Sequence, residues 1–481
     1  REFHEAYGCT SICLVKQPIG AILHSSIFRH VPLDSLEPDE VIATVERIHE
    51  EDPARAILFL TNSEACIPAV LAVRDALPYV RTPTPSRDVI DQVSHKDRFA
   101  ELCREHGLDA PASETVRLAG ADAIAPCELP FPVVAKPAFS PEYAGYMSRG
   151  FKKVYFIERQ AQLDELWHDL RAAGFAGTFI VQELIGGDDT YMDSVTLYID
   201  SNGRPTLFGG ANVLLEDHAP SMLGNPVAMI TTSMPEVWQR CAEMLCAVGY
   251  RGYANFDVKR DPKTGRMLFL EVNPRIGRNS YYVCAAGVNP MRACVEDLVR
   301  GRALEPMRAE NEILYTLVPL RLLRHYVRDE QLRARMERLV REGKVFDPQR
   351  YDKDRSIAWP MCSSPSGTRC ANSSTTIPSP RTPRSSCTRK WSLPACALRA
   401  GCRGMIRTRC RGAAIPLAPR VQIAAIPLAP RVHDIFHAAP PPHPMKNGPQ
   451  RGPLLSSASL CPGGLFAIPA SRHQRSCGNS S

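Results

Sequence analysis

Residues 252–278, GYANFDVKRDPKTGRMLFLEVNPRIGR, constrain this chain more than any other stretch, because they read as two strands joined by a turn with acids at fixed spacing. Asp261, Pro262, Lys263 and Gly265 make the turn, between a strand over 253–260 and another over 267–272. Side chains alternate faces along a strand, so Phe256 and Val258 point one way while Asn255, Asp257 and Lys259 point the other. On the second strand Leu268, Leu270 and Val272 share a face, with Glu271 and Asn273 opposite. The register that buries both apolar sets then puts Asp257 beside Glu271, with Asn273 one step along.

At roughly 4 Å and an effective dielectric near 20, two such carboxylates repel by about 4 kcal/mol, a large part of the margin by which a domain is stable. A cation between them removes that cost. Mg2+ suits two carboxylates and an amide oxygen that leave room for water and phosphate. The alternative is that Lys259, Arg260 or Arg275 neutralises the acids in an ordinary ion-pair cluster on a solvated face.

Upstream, residues 1–90 alternate short apolar runs with helical patterns. Strands are expected at 11–15, 57–60 and around Tyr79 and Val80, with helices at 40–50 and 67–77, a small α/β layer on a parallel sheet. Residues 62–64 after the strand ILFLT either line a crevice at its carboxyl end or form a turn with a helix cap, and the turn is the simpler reading. The first residues, REFHEAYG, look like the end of a helix, which leaves room for an upstream strand outside this sequence.

Further on, Ser94 is expected to cap a helix with Asp97 in its first turn. The apolar strand LPFPVVAKPAFS ends in Lys136 and Pro137, and a loop with Gly145 and Gly150 leads to the strand KKVYFIE. Such a loop can fold over phosphates, since small side chains let backbone N–H groups approach oxyanions; a plain hairpin loop is the competing reading. After a helix over 162–173, TFIVQELIGGDD reads as a buried strand ending in Gln182 and Glu183, followed by a bend and by Asp188 and Asp189. A capping box, Ser233 with Glu236, opens a helix that Gly249 closes.

In this order the pieces resemble an ATP-grasp enzyme. The likeness covers roughly residues 1–330 and rests on VVAKP, the glycine-bearing loop, the VQELIGG strand exit and the DVK…FLEVNPR hairpin. Within that superfamily the chain is similar to carboxylate–amine ligases, including the D-aspartate ligase type. The resemblance implies an α/β chain: an ATP-grasp fold behind a small α/β layer. Carried over by position, it implies that Lys136 and either Lys152 or Lys153 contact ATP phosphates. Gln182, Glu183, Leu184 and Ile185 would line the adenine pocket, with Asp188 or Asp189 on the ribose. Asp257, Glu271 and Asn273 would bind Mg2+, and Arg275 would meet the transferred phosphoryl group or the substrate carboxylate. The chemistry implied is activation of a carboxylate by ATP to an acyl phosphate, which an amine then attacks. The partners are thus a small carboxylate and a small amine; oligomeric state is open, a homodimer included.

Composition adds a boundary. Residues 356–481 hold 16 Lys plus Arg against one acid, Asp434, so the net charge of +7 belongs wholly to this segment. No argument from basic charge to nucleic acid therefore applies to the first 355 residues. The segment also holds 18 of the 42 prolines and two copies of AAIPLAPRV, at Ala413 and Ala424. That composition leads us to expect a disordered tail without catalytic role, read from a frame that is not the ancestral one. The expected domains are 1–92, 93–305, a helical extension over 306–355, and the tail. The 17 cysteines include no C-x-x-C pair, which argues against zinc and for a reducing cytoplasm, and no apolar run is long enough for a membrane span. Three rival functions remain: an ATP-grasp carboxylase or carbamoyl-phosphate-forming enzyme that activates bicarbonate, a protein whose basic tail binds nucleic acid, and a nucleotide-binding protein that no longer turns over.

Overall fold

The computed structural model describes residues 1–16, 20–120, 122–218, 222, 224–354 and the backbone of 421–426. The first layer is built on β1 (Ser11–Val15), β2 (Phe28–Pro32), β3 (Ala56–Thr61) and β4 (Val80–Arg81). β1 pairs with β2 and β3 with β4, both in parallel, as expected where helices alternate with short apolar strands. Helices Pro38–Glu51 and Ile67–Ala76 supply Val41, Val45, Val70 and Val73 to a core with Leu14 and Phe59.

A second sheet is antiparallel, with β5 (Ser113–Arg117), β6 (Val133–Pro137), β7 (Tyr155–Ile157) and β8 (Thr178–Glu183) in the order β5-β8-β6-β7. Helix Gln160–Ala172 covers one face, where Leu163, Trp167 and Leu170 meet Val133, Ala135, Phe179 and Val181. Alternation sends Val134, Lys136, Ile180 and Gln182 to the uncovered face.

The third and largest sheet contains β9 (Met192–Ile199), β10 (Pro205–Asp217), β11 (Asn225–Thr231), β12 (Gly252–Arg260), β13 (Met267–Asn273), β14 (Met307–Arg308), β15 (Leu314–Thr316) and β16 (Val345–Phe346). Its order is β13-β12-β9-β10-β11-β15-β16, with β14 alongside β10. Val195, Leu197, Phe256 and Val258 pack on helix Pro235–Ala247 and on Phe99 of helix Lys96–Glu105. The opposite face carries the polar residues of β12 and packs in part on Tyr282 and Val283 of helix Tyr281–Ala285.

Several local expectations are corrected. Ser94 ends helix Arg87–Ser94, whose Val89, Ile90 and Val93 are buried, and the next helix starts at Lys96 behind His95. Ser233 makes no capping bond: Pro235, with its preset φ, starts that helix one residue later than a Ser233 cap requires. Part of the glycine-bearing loop is helix Ser140–Met147, anchored by buried Tyr143. The extension expected to be helical over 306–355 holds helices Leu320–Tyr326 and Glu330–Arg341 beside the short strands β14, β15 and β16, and the Asp329 carboxylate, accepting the Leu332 N–H at 2.8 Å, starts the second helix.

Most of the tail, with the first copy of its repeat and the expectations about disorder, reading frame and nucleic acid, lies outside the described residues. Six of its residues do not follow the expectation of disorder. They form β17 (Val421–Ile426), antiparallel to both β1 and β3 and lying between them. VQIAAI is an uncharged run with three β-branched residues, Val421, Ile423 and Ile426, which fits a strand.

Candidate active site

The hairpin pairs as its sequence predicts at the acids: Asp257 lies opposite Glu271, and Asn255 opposite Asn273. Beyond them the expected alternation fails. A bulge after Asp257 pairs Val258 with Phe269, so that Phe269 joins Val272 in the core and Leu270 turns to a cleft with Lys96, Lys136, Ile180 and Gln182. The bulge thus lends an apolar wall to a polar site.

Burial, and then the charge of Glu271, push the Asp257 carboxyl well above the usual range. Burial also works against ionised Glu271, but the ammonium groups of Lys96, Lys153 and Lys136 outweigh it and hold that carboxyl well below its ordinary value. The pair therefore shares one negative charge, on Glu271, with the proton on Asp257. A divalent ion supplies what the second charge lacks. Among the described residues no three His, Cys, Asp or Glu side chains converge on a metal position, so phosphate, water or amide oxygens would complete the coordination. Asn273 donates to Asp257 Oδ2 at 3.2 Å, while its Oδ1 accepts from Arg275 Nη2 at 2.9 Å. The donor set fits magnesium on the two carboxylates; the amide oxygen joins only by leaving Arg275.

Lys136 is brought to the acids as expected. Burial, then the charge of Lys96, lower its pKa to about 8, with Glu271 opposing. Of the two following lysines, Lys153 acts on Lys136, Glu271 and Asp257, whereas Lys152 is exposed. Arg275 donates through Nη1 to the Ile276 carbonyl at 3.2 Å and lies 3.6 Å from Glu64. Its Nε is buried without a hydrogen-bond partner, a spare donor suited to an anion. Glu64, at the carboxyl end of β3, belongs to the segment for which a turn with a cap is the simpler expectation; no side-chain cap forms at Ser63, and Glu64 reaches the hairpin instead.

The strand exit is more mixed. Gln182 lines the cleft and Leu184 is 37% exposed, with Ile185 half-buried between flanking exposed residues. The Glu183 carboxylate accepts the Ala112 N–H at 2.9 Å. Asp188 accepts from Thr190 N at 3.0 Å and caps a short turn, and Asp189 accepts from Glu216 N and meets His218 Nε2 at 2.8 Å. Both aspartates thus have protein partners in the positions expected to face a ribose.

Three residues escape sequence reasoning. Lys96 Nζ lies 3.2 Å from Glu271 Oε2 and forms an ion pair with it. Phe156 is 63% exposed and pairs with Val134, which puts it on the same face as Lys136. Glu216 on β10 is buried, and that burial together with Asp189 pushes its carboxyl up to about 7. An apolar strand with one outward aromatic is a signal for the second; nothing local marks the first or third.

No family model matches the chain. It is 28% identical over 370 residues to D-aspartate ligase of Enterococcus faecium, across 74% of this chain and 88% of that protein. It is 24% identical over 287 residues to the carbamoyl phosphate synthase large chain of Pasteurella multocida, across 58% of this chain and 25% of that longer protein. Among solved structures, L-amino acid ligase from Bacillus licheniformis superposes with a TM-score of 0.40 at 16% identity, over 56% of this chain and 63% of the other. The expected likeness to carboxylate–amine ligases of the D-aspartate ligase type is borne out by the first relative.

Proposed function

We propose that this chain is an ATP-dependent ligase of the ATP-grasp superfamily, which activates a carboxylate as an acyl phosphate and couples it to an amine with release of ADP and phosphate. The observation that carries the reading is the Asp257–Glu271 pair set directly across one hairpin, with Lys96, Lys136 and Lys153 gathered on it and Arg275 beside it.

A carboxylate is a poor electrophile, and phosphorylation turns one oxygen into a leaving group. Phosphoryl transfer asks for positioning and for positive charge on the moving oxygens rather than a side-chain nucleophile. Lys136, Lys153 and Lys96 would hold the phosphate chain, and Arg275, with its spare Nε donor, the transferred group or the carboxylate that receives it. Magnesium, held by Asp257 and Glu271, supplies further charge neutralisation when bound. The uncovered face of the second sheet offers Val134, Phe156 and Leu184 to the adenine ring, with Gln182, Glu183 and Ile185 at its edge and Asp188 or Asp189 toward the ribose. The scattered cysteines, with no C-x-x-C pair, fit work in a reducing cytoplasm, and among the described residues no helix is long and apolar enough to cross a membrane.

The test is ADP release with a panel of carboxylates crossed with a panel of amines. The name of the enterococcal relative nominates D-aspartate as the first substrate, placed in both panels because it carries carboxylates as well as an amine. ADP release that needs both partners supports the ligase; release driven by bicarbonate alone would replace it with a carboxylase-type reaction, and no release from any pair would overturn it.

Two consequences can be measured on the same protein. Removing the ring in Phe156→Ala is expected to raise the KM for ATP roughly tenfold with little change in kcat, since stacking of a base on an aromatic is worth about 1–3 kcal/mol. An unchanged KM would take Phe156 out of the base pocket. The second concerns pH. Free Lys136 loses its proton near pH 8, and a bound phosphate favours the charged form. In metal-free buffer, ADP affinity should therefore fall as pH rises from 7 to 9, and binding at pH 8 should draw a proton from solution. Calorimetry in two buffers of different ionisation heat reads that uptake; no uptake and a flat profile would contradict the placing of Lys136 on phosphate.

A further inference from the structure

Behind the acids runs a row of buried polar side chains that phosphoryl transfer does not call upon. Tyr282 Oη donates to Thr196 Oγ1 at 3.0 Å, and Thr196 Oγ1 donates to Asn255 Oδ1 at 3.0 Å. Asn255 Nδ2 in turn faces Asp257 Oδ1 at 3.5 Å. Tyr282 and Thr196 are wholly buried and Asn255 is 5% exposed, so none can exchange its partner for solvent. The row is also tightly enclosed: a Cβ on Gly277 would come 2.7 Å from Asn255 Oδ1.

The direction of the row follows from what each group can do. With a divalent cation bound, Asp257 is ionised and only accepts, so the Asn255 amide must offer it its nitrogen and turn its oxygen to Thr196. Thr196 must then donate to that oxygen, which leaves its lone pair for Tyr282, and Tyr282 donates. A flipped Asn255 amide would point its oxygen at the Asp257 carboxylate, two acceptors face to face. Asn273 holds the other oxygen, Oδ2, at 3.2 Å.

We propose that Thr196, Tyr282 and Asn255 are positioning residues that fix the rotamer of Asp257, and with it the affinity of the site for a divalent cation. The inference rests on the assignment of Asp257 to a cation in the proposed ligase. Hydrogen-bonded residues behind a ligand typically change metal affinity 10- to 100-fold when removed. Thr196→Val keeps the shape and deletes the donor, Thr196→Ser keeps the donor, and Tyr282→Phe keeps the ring and frees the Thr196 hydroxyl to turn away.

The experiment titrates Mn2+ onto the full chain with and without ADP, by electron paramagnetic resonance, alongside thermal melts. Thr196→Val is expected to weaken Mn2+ binding about tenfold, Tyr282→Phe to weaken it about threefold, and Thr196→Ser to bind as wild type. Should Thr196→Val fail to fold, Tyr282→Phe against Thr196→Ser decides the matter. Lower melting temperatures with Mn2+ affinity within twofold of wild type would make the row structural and overturn the proposal. A wild-type chain that binds no Mn2+ even with ADP would instead overturn the ligase reading itself.

Discussion

Glu271→Gln is expected to abolish ADP release, lowering kcat by about 10³-fold or more, while the protein still folds. The substitution keeps the shape and removes the single charge on which Lys96, Lys136 and Lys153 converge. Loss of one group aimed at developing charge in a transition state costs about 10²- to 10³-fold, and loss of a cation ligand adds to it. Stability moves less, because Lys136 can shed its proton: its pKa is already lowered to about 8 by burial and by Lys96. Losing the partner of a buried charged group costs roughly 1–3 kcal/mol, which a thermal melt reads as a fall of several degrees, and inorganic phosphate should restore part of it by taking the place of the missing anion. Steady-state ADP release and melts with and without phosphate check both halves. A variant that melts early but turns over near the wild-type rate would reduce Glu271 to a counter-ion for lysines.

The parts of this site that could be read from the chain are those where local rules and chemistry coincide. The hairpin announces itself because turn residues, period-two alternation and the two acids all demand the same register, and Asp257 does pair with Glu271. Lys136 is legible for a similar reason, at the end of an apolar run that can only be a buried strand. Lys96 is not, because its position depends on where one helix stops and the next begins. Ser94 looks like a cap and is instead the last residue of the preceding helix, which puts Lys96 at the first position of its own helix, aimed at an acid far along the chain. The bulge that turns Leu270 into the cleft is hidden for a related reason. LFLEV alternates well on paper, and one unpaired residue reverses which leucine or phenylalanine faces the core. The tail misleads in the opposite sense: its composition argues against order everywhere, yet six uncharged residues are enough to make a strand.

Lys96→Ala and Lys136→Ala test the cluster most directly, and their double mutant tests it more sharply than either. A charge-assisted hydrogen bond is worth about 1.5–3 kcal/mol, so each single change is expected to weaken ADP binding by roughly 10- to 100-fold in calorimetry at pH 7. The two do not act independently. The charge on Lys96 is, after burial, the largest influence lowering the Lys136 pKa, so its removal lets Lys136 hold a proton to higher pH. Lys96→Ala should therefore lose less affinity than its contact is worth, because the remaining lysine becomes a better cation. In the double mutant that compensation is gone, and the loss should exceed the sum of the single losses, by a margin that widens as the pH is raised toward 8. Strict additivity across that range would mean the two ammonium groups do not share one anion. Unchanged affinity in both single variants would remove phosphate from this cluster altogether, leaving Glu271 with lysine partners and no nucleotide between them.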